Sequence, residues 1–380
     1  VVASEPRLSI GVLHGAEEYQ FVDLAAAARR SDGSIVVVDR GSRTVRAYGP
    51  DGQYLGTLGG PGEGPGEFAD PGPVLVTTGD TVVVWDQALL RATRFGPNGD
   101  LVEVRTVDWG KLAGAMGLDL EGTGLKGKGL GAKAKVEADA SVLYPGPIEP
   151  LANGGFLVRL AEKVVEPPGN GPFRIRSGLL QVSSDLSVLD TLLLFPGEEE
   201  ITVDAPWGRS EVVGPQARRT WTTHQGNPPK VCVGDQEGPQ ITCFHPEGGS
   251  TLIRWDAEPR ALTSEELTAW REETVRYYDL KLSRQQVLEM LDQVPLPDAR
   301  PPYGQITLDG LGFLWAEVGS RPGREGESVD FLVFDPEGSL LGHVQMPPVQ
   351  VLEIGADYLL GVHQDEFEVE YLHVYEFKRN

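Results

Sequence analysis

Residues 35–52 read IVVVDRGSRTVRAYGPDG, and residues 82–99 read VVVWDQALLRATRFGPNG, the same sentence at a constant offset of 47 positions. Asp39 falls on Asp86, Val45 on Ala92, Tyr48 on Phe95, and the turn Gly49-Pro50-Asp51-Gly52 on Gly96-Pro97-Asn98-Gly99. Pro and Gly preset a tight turn, and the apolar runs on either side have the length of strands rather than helices. The quoted unit is therefore two strands and a turn, repeated. The same ending returns at Phe244-His245-Pro246-Glu247-Gly248 and at Phe334-Asp335-Pro336-Glu337-Gly338, each time before a new apolar run. Several short strands recurring every ~40–50 residues are the mark of a propeller blade.

Counted by these endings, blade one covers about 22–59, blade two 71–107, blade three 142–195, blade four 217–256 and blade five 303–346, and blade six starts near Val349. The last blade has three strands before the chain stops at Asn380, while residues 7–13, RLSIGVL, form an apolar strand with no hairpin partner of their own. Pairing the first strand with the last removes an open sheet edge. The expected fold is an all-β, six-bladed β-propeller over residues 1–380, closed by its N-terminal strand near 371–377, with a small helical insertion.

The valine run ending in Asp39 or Asp86, the GPDG and GPNG turns, and the linker Gly59-Gly60-Pro61-Gly62-Glu63-Gly64-Pro65-Gly66-Glu67-Phe68-Ala69-Asp70-Pro71 resemble NHL repeats, most closely over residues 32–107. The resemblance implies a six-bladed propeller of the kind found in exported bacterial proteins. It also implies that Asp39, Asp86 and Asp335 act as the family's structural aspartate, capping backbone amides at a strand end. A shared fold leaves function open.

Composition narrows the partners. With 56 acidic against 33 basic residues, the formal charge of −23 repels nucleic acid and anionic membrane surfaces. No run of about 18 apolar residues is present to span a bilayer. The chain begins Val1-Val2-Ala3-Ser4 without methionine, which suits a mature exported product, secreted, periplasmic or at the cell surface. Its two cysteines, Cys232 and Cys243, flank the turn residues 234–239 of a hairpin and sit opposite each other. A cross-strand disulfide fits an oxidising compartment; two buried thiols are the other reading.

Two insertions interrupt the repeat. Residues 108–141 are rich in Gly, Ala and Lys and hold Lys111, Lys126, Lys128, Lys133 and Lys135, five of the nine lysines. The arm reads either as a solvated loop or as a basic segment that docks on an acidic surface, giving a homo-oligomer or larger assembly. Residues 261–302 hold two capping boxes, Thr263 to Glu266 and Ser283 to Gln286, and so predict two helices. Leu267, Trp270, Thr274 and Tyr277 define the packed face of the first, and Val287, Leu288, Leu291 and Val294 that of the second, which Pro295 ends. The pair rests on the propeller rim or covers one mouth of its channel.

Gluconolactonase and paraoxonase-like propellers hold calcium with Glu, Asn and Asp, but the five asparagines here are Asn98, Asn153, Asn170 and Asn227, all beside Gly or Pro, and the terminal Asn380. No cofactor is expected, although carboxylates alone could bind calcium. The six histidines are scattered, and only His224 and His363 read as residues of inner strands. No nucleophile elbow, zinc helix or phosphate loop occurs. Arg218, Arg219, Trp221 and His224 in blade four, with Tyr303 entering blade five, place cationic and aromatic groups together, as at contact hot spots. The sequence therefore favours a non-enzymatic binding or scaffold propeller that takes a protein or small ligand at the channel mouth. The alternatives are a metal-dependent lyase or hydrolase working in the channel, and a structural subunit of a surface assembly.

Overall fold

The computed structural model describes residues 2–106, 134–135, 142–151, 153–163, 171–183, 188–206, 208–226, 228–278, 281–318 and 328–379. Nearly all regular structure in them is β, in six antiparallel sheets that follow one another along the chain. The first comprises Leu24–Arg29, Ile35–Asp39, Thr44–Tyr48 and Tyr54–Pro61, with the short parallel strand Glu67–Phe68 added. The second runs Pro71–Val76, Val82–Asp86, Arg91–Phe95 and Leu101–Thr106. The fourth holds Trp221–Gln225, Lys230–Gly234, Gln240–Phe244 and Ser250–Arg254, and the fifth Ile306–Leu308, Leu314–Val318, Val329–Phe334 and Leu340–Met346. The sixth takes Gln350–Ile354, Tyr358–Gln364 and Glu370–Glu376, and its fourth strand is Leu8–Ile10 from the other end of the chain. Ser9 lies opposite His373, and Val2 bridges Phe377, so residues 2–10 run antiparallel along the last strand. Among the described residues no helix is long and apolar enough to cross a membrane.

The unbroken valine runs follow from burial on both sides. Side chains alternate across a strand, and here each side meets a different neighbour. Ile35 and Val37 pack with Leu360, Leu372 and Val374 of the sixth sheet, whereas Val36 and Val38 pack with Val82, Val84 and Phe95 of the second. Val83 and Trp85 turn the other way, onto Phe156, Val158 and Leu180 of the third sheet. Further apolar clusters join the third sheet to the fourth, the fourth to the fifth and the fifth to the sixth. A side chain of this size buried from water contributes roughly 1.5–3 kcal/mol, which makes these six junctions the main apolar stabilisation. A run that is apolar at every position thus marks a strand covered on both faces.

Asp39 and Asp86 are fully buried at the ends of their strands. Asp39 accepts from the amide of Asp23 at 3.0 Å and from the Ser42 hydroxyl at 2.7 Å; Asp86 accepts from the amides of Ala69 and Leu89, each at 2.8 Å. Asp335 is different. It accepts from the Ser339 amide at 2.7 Å within the hairpin turn, where it occupies the position of Gly49 rather than that of Asp39.

The third sheet is larger than the repeat count gives. Its strands Val142–Pro150, Phe156–Lys163, Pro172–Val182, Val188–Ala205 and Gly208–Val212 extend well past residue 195, and Ala134–Lys135 adds a sixth at the other edge. The count bounds the blade at about 195, but the strand runs on through Pro196-Gly197, beside which the ladder shifts register, between Arg174 and Arg176. A bulge is where a strand tolerates proline.

The extension of the third sheet carries the helical insertion. Helices α1, Ser264–Tyr278, and α2, Arg284–Leu291, form one apolar cluster with Ile201, Val203 and Val212. Both predicted capping boxes are present: Glu266 accepts from the Thr263 amide at 2.8 Å, and Gln286 from the Ser283 amide at 3.0 Å. The packed stripe of α1 is rotated from the expected one. Trp270, Val275 and Tyr278 face the cluster, while Tyr277, at the margin of the stripe, is 77% exposed. In α2, Met290 is buried with Val287 and Leu291, and Leu288 is only partly covered; the helix stops at Leu291, short of Pro295, and Val294 is buried beyond its end.

Candidate functional site in the cleft between the helices and sheets four and five

Strand register fixes where the irregular segments leave the sheets. Thr106 pairs with Arg91, Arg91 with Asp86 and Asp86 with Pro71, so the chain leaves the second sheet at the end where its first strand begins. Arg254 pairs with Gln240 beside the Trp221–Gly234 end of the fourth sheet, so the segment bearing α1 and α2 departs from the equivalent end. Insertions at one end of rigid sheets are where function tends to be built.

Between α1, the flanking linkers and the ends of sheets four and five lies a cleft of about 1530 Å³. The fourth sheet and its hairpin supply Trp221, Gln236 and Glu237 as its floor, the linker supplies Trp255 and the residues after it, and α1 supplies Glu266, Trp270 and Tyr277. The floor is rigid. Cys232 and Cys243 are bonded, fully buried, directly opposite each other in the ladder, and belong to the cluster that joins sheets four and five. The Trp255 ring lies tilted against those of Tyr303 and Phe334, 5.4 Å from each, which holds it at the cleft edge.

Polar groups in the wall are unevenly satisfied. Glu266 is 4% exposed and takes the Arg300 guanidinium at 2.6 Å on Oε2, yet its Oε1 has no partner. The Trp221 indole N–H is likewise buried without an acceptor, whereas that of Trp270 donates to the Val213 carbonyl at 3.2 Å. Unmade hydrogen bonds of this kind cost about 1–3 kcal/mol each.

The structure gives the residues singled out in the sequence different settings. Trp221 and Arg219 line the cleft, and the Arg219 amide donates to Gln236 Oε1 at 2.6 Å. Arg218 is held between Glu199 and Glu237, each at 2.7 Å. Tyr303 is 2% exposed; its hydroxyl accepts from the Gln236 amide and donates to the Gln240 carbonyl, each at 3.0 Å, and burial pushes its phenol up. It belongs to the cleft lining but offers almost no exposed surface there. His224 sits half-buried on Trp221–Gln225, opposite Val231. His363 is on the second strand of the sixth sheet rather than the first, stacked at 4.8 Å on His373, whose imidazole is pushed down to about 4, chiefly by burial. Lys126, Lys128 and Lys133 lie outside the described residues, and only the backbone of Lys135 is placed, opposite Val142. The sequence reading missed Trp255, Glu266, Arg300 and Tyr277; their signal was an aromatic directly after the last strand of sheet four, followed by charged and proline-rich linkers.

Among the described residues no group of three or more His, Cys, Asp or Glu side chains is gathered closely enough to hold a metal ion. No protein-family model matches the chain, and no curated protein matches it. Among solved structures it is similar to a member of the DUF4221 family from Bacteroides vulgatus, with a TM-score of 0.50 and 10% identity over 99% of this chain and 97% of that one. It is also similar to a catalytically inactive virginiamycin B lyase from Staphylococcus aureus, TM-score 0.45 and 10% identity over 98% and 99% of the two chains. A gluconolactonase from Xanthomonas campestris gives 0.41 and 11% over 99% and 100%. At such identities the likeness concerns the course of the chain and carries no activity with it. The chain is an all-β protein whose antiparallel sheets are of propeller type.

Proposed function

We propose that the chain is a six-bladed ring, its first two blades built on NHL-like repeats, closed by pairing its first strand with its last. We further propose that it is exported to an oxidising compartment and works there as a binding or scaffold protein rather than an enzyme. The cyclic order of the six apolar junctions supports the ring. The buried Cys232–Cys243 bond supports the compartment. The observation that carries the functional reading is the cleft of about 1530 Å³, walled by Trp221, Trp255, Trp270 and Tyr277 and floored by a cross-linked hairpin. Aromatic groups on a rigid frame give contact area at small cost in ordering entropy, which is what a binding site needs.

Crystals soaked with a library of small aromatic, amide and sugar fragments test this reading. Fragments are expected to gather against Trp255 and Tyr277. Occupancy confined to the middle of the ring, among the first strands of the sheets, contradicts it, as does turnover of ester or lactone substrates there.

A further inference from the structure

Resting on that reading, we infer that the cleft receives an extended, proline-rich segment of a partner protein that carries lysine or arginine side chains. Three independent features of the wall lead to this class of ligand. The first is size: pockets for small molecules occupy roughly 300–1000 Å³, and this one, at about 1530 Å³, suits a length of polymer.

The second is charge. Seven carboxylates against four guanidinium groups line the cleft. Of the arginines, Arg300 is held by Glu266 and Arg254 donates to Gln240 at 3.1 Å. Asp256, Glu258 and Glu273 are exposed and have no ion-pair partner among the described residues. The balance repels phosphate- or sulfate-bearing polymers and attracts a cation.

The third is the set of aromatic faces in the lining. Trp255 and the exposed Tyr277 offer ring faces of the kind that grip polyproline II helices, whose geometry is set before binding and so loses little entropy.

The test uses the full chain and three labelled probes: a peptide of alternating Pro and Arg of about twelve residues, its Pro-Glu counterpart, and maltoheptaose. Binding is followed by fluorescence anisotropy. Two variants accompany the wild type, the triple substitution Asp256→Asn, Glu258→Gln, Glu273→Gln and the single substitution Tyr277→Ala; all four positions are exposed, so the fold is not at stake. The Pro-Arg peptide should bind the wild type and weaken about tenfold or more in the triple variant, with a shallower salt dependence, since three unpaired charges are removed. Tyr277→Ala should weaken it as well. If the Pro-Glu peptide or the sugar binds in the cleft as tightly, the inference falls while the cleft remains a binding site. If the Pro-Arg peptide binds both variants as it binds the wild type, it is held elsewhere on an acidic surface and the inference falls. If no probe binds, the inference and the reading beneath it fall together.

Discussion

Asp39 shows how a single side chain organises a repeat. It lies fully buried at the end of Ile35–Asp39, and its carboxylate joins the Asp23 amide, where the chain enters the sheet, to the Ser42 hydroxyl in the turn before Thr44–Tyr48. Replacing it with alanine strands those donors inside the protein. Asp39→Ala should cost about 3 kcal/mol in urea unfolding, and Asp86→Ala a similar amount, whereas Asp51→Ala in the exposed turn should cost less than about 1 kcal/mol. Equal losses at all three positions would contradict the capping role. The resemblance to NHL repeats implied this role for Asp39 and Asp86; for Asp335, which falls at the turn position of Gly49, it did not hold. The setting of Tyr303 was not legible: nothing local tells that its hydroxyl is taken by Gln236 and Gln240, more than sixty positions away.

At the scale of elements, turn chemistry and caps carried the most information. The capping boxes at Thr263 and Ser283 located both helices, because a cap is a local hydrogen-bond pattern. The packed face of α1 came out rotated, since a short amphipathic helix has an apolar arc wide enough for two orientations and the partner surface chooses between them. In the third sheet, the repeat count bounds the blade at about 195, whereas the strand continues past Pro196-Gly197 beside a register shift. The hairpin of the fourth sheet is the element that stiffens the cleft. Its disulfide spans a sequence separation of 11 and is inaccessible to solvent. The pair of substitutions Cys232→Ala and Cys243→Ala should lower stability by about 2–3 kcal/mol. In the folded wild type the bond should resist mild reductant, and rapid maleimide labelling of the native protein without reductant would contradict it.

For the whole molecule, the contact between its two ends matters most. Sheets six and one meet at a seam where Glu370 accepts the Leu24 amide at 2.6 Å and Glu353 accepts the Arg29 amide at 2.9 Å. Around Glu353 stand the Arg29 guanidinium and the Tyr358 ring, 4.5 Å apart, with Asp357 beside them. Burial above all pushes the Glu353 carboxyl up to about 7 from an ordinary 4.5, and Glu370 moves in the same direction. A raised carboxyl contributes its full stability below 4.5 and loses it as pH rises through about 7. Between pH ~5 and ~8 the wild type should therefore lose on the order of 2 kcal/mol that Glu353→Gln does not lose. Parallel pH profiles for the two proteins would remove the seam from the account. The pairing of first and last strands could be read from the sequence by counting strands, but the cleft could not. Its lining comes from positions as far apart as Glu211 and His343, brought together only by the packing of successive sheets.

Amide hydrogen exchange with and without the Pro-Arg peptide tests the central claim, that function is carried by this cleft and not by the first strands of the sheets. The account predicts slowed exchange in residues 255–262 and in α1, with the first strands Leu24–Arg29, Trp221–Gln225 and Gln350–Ile354 unchanged. Protection confined to those first strands, with α1 and the 255–262 linker unaffected, would contradict it.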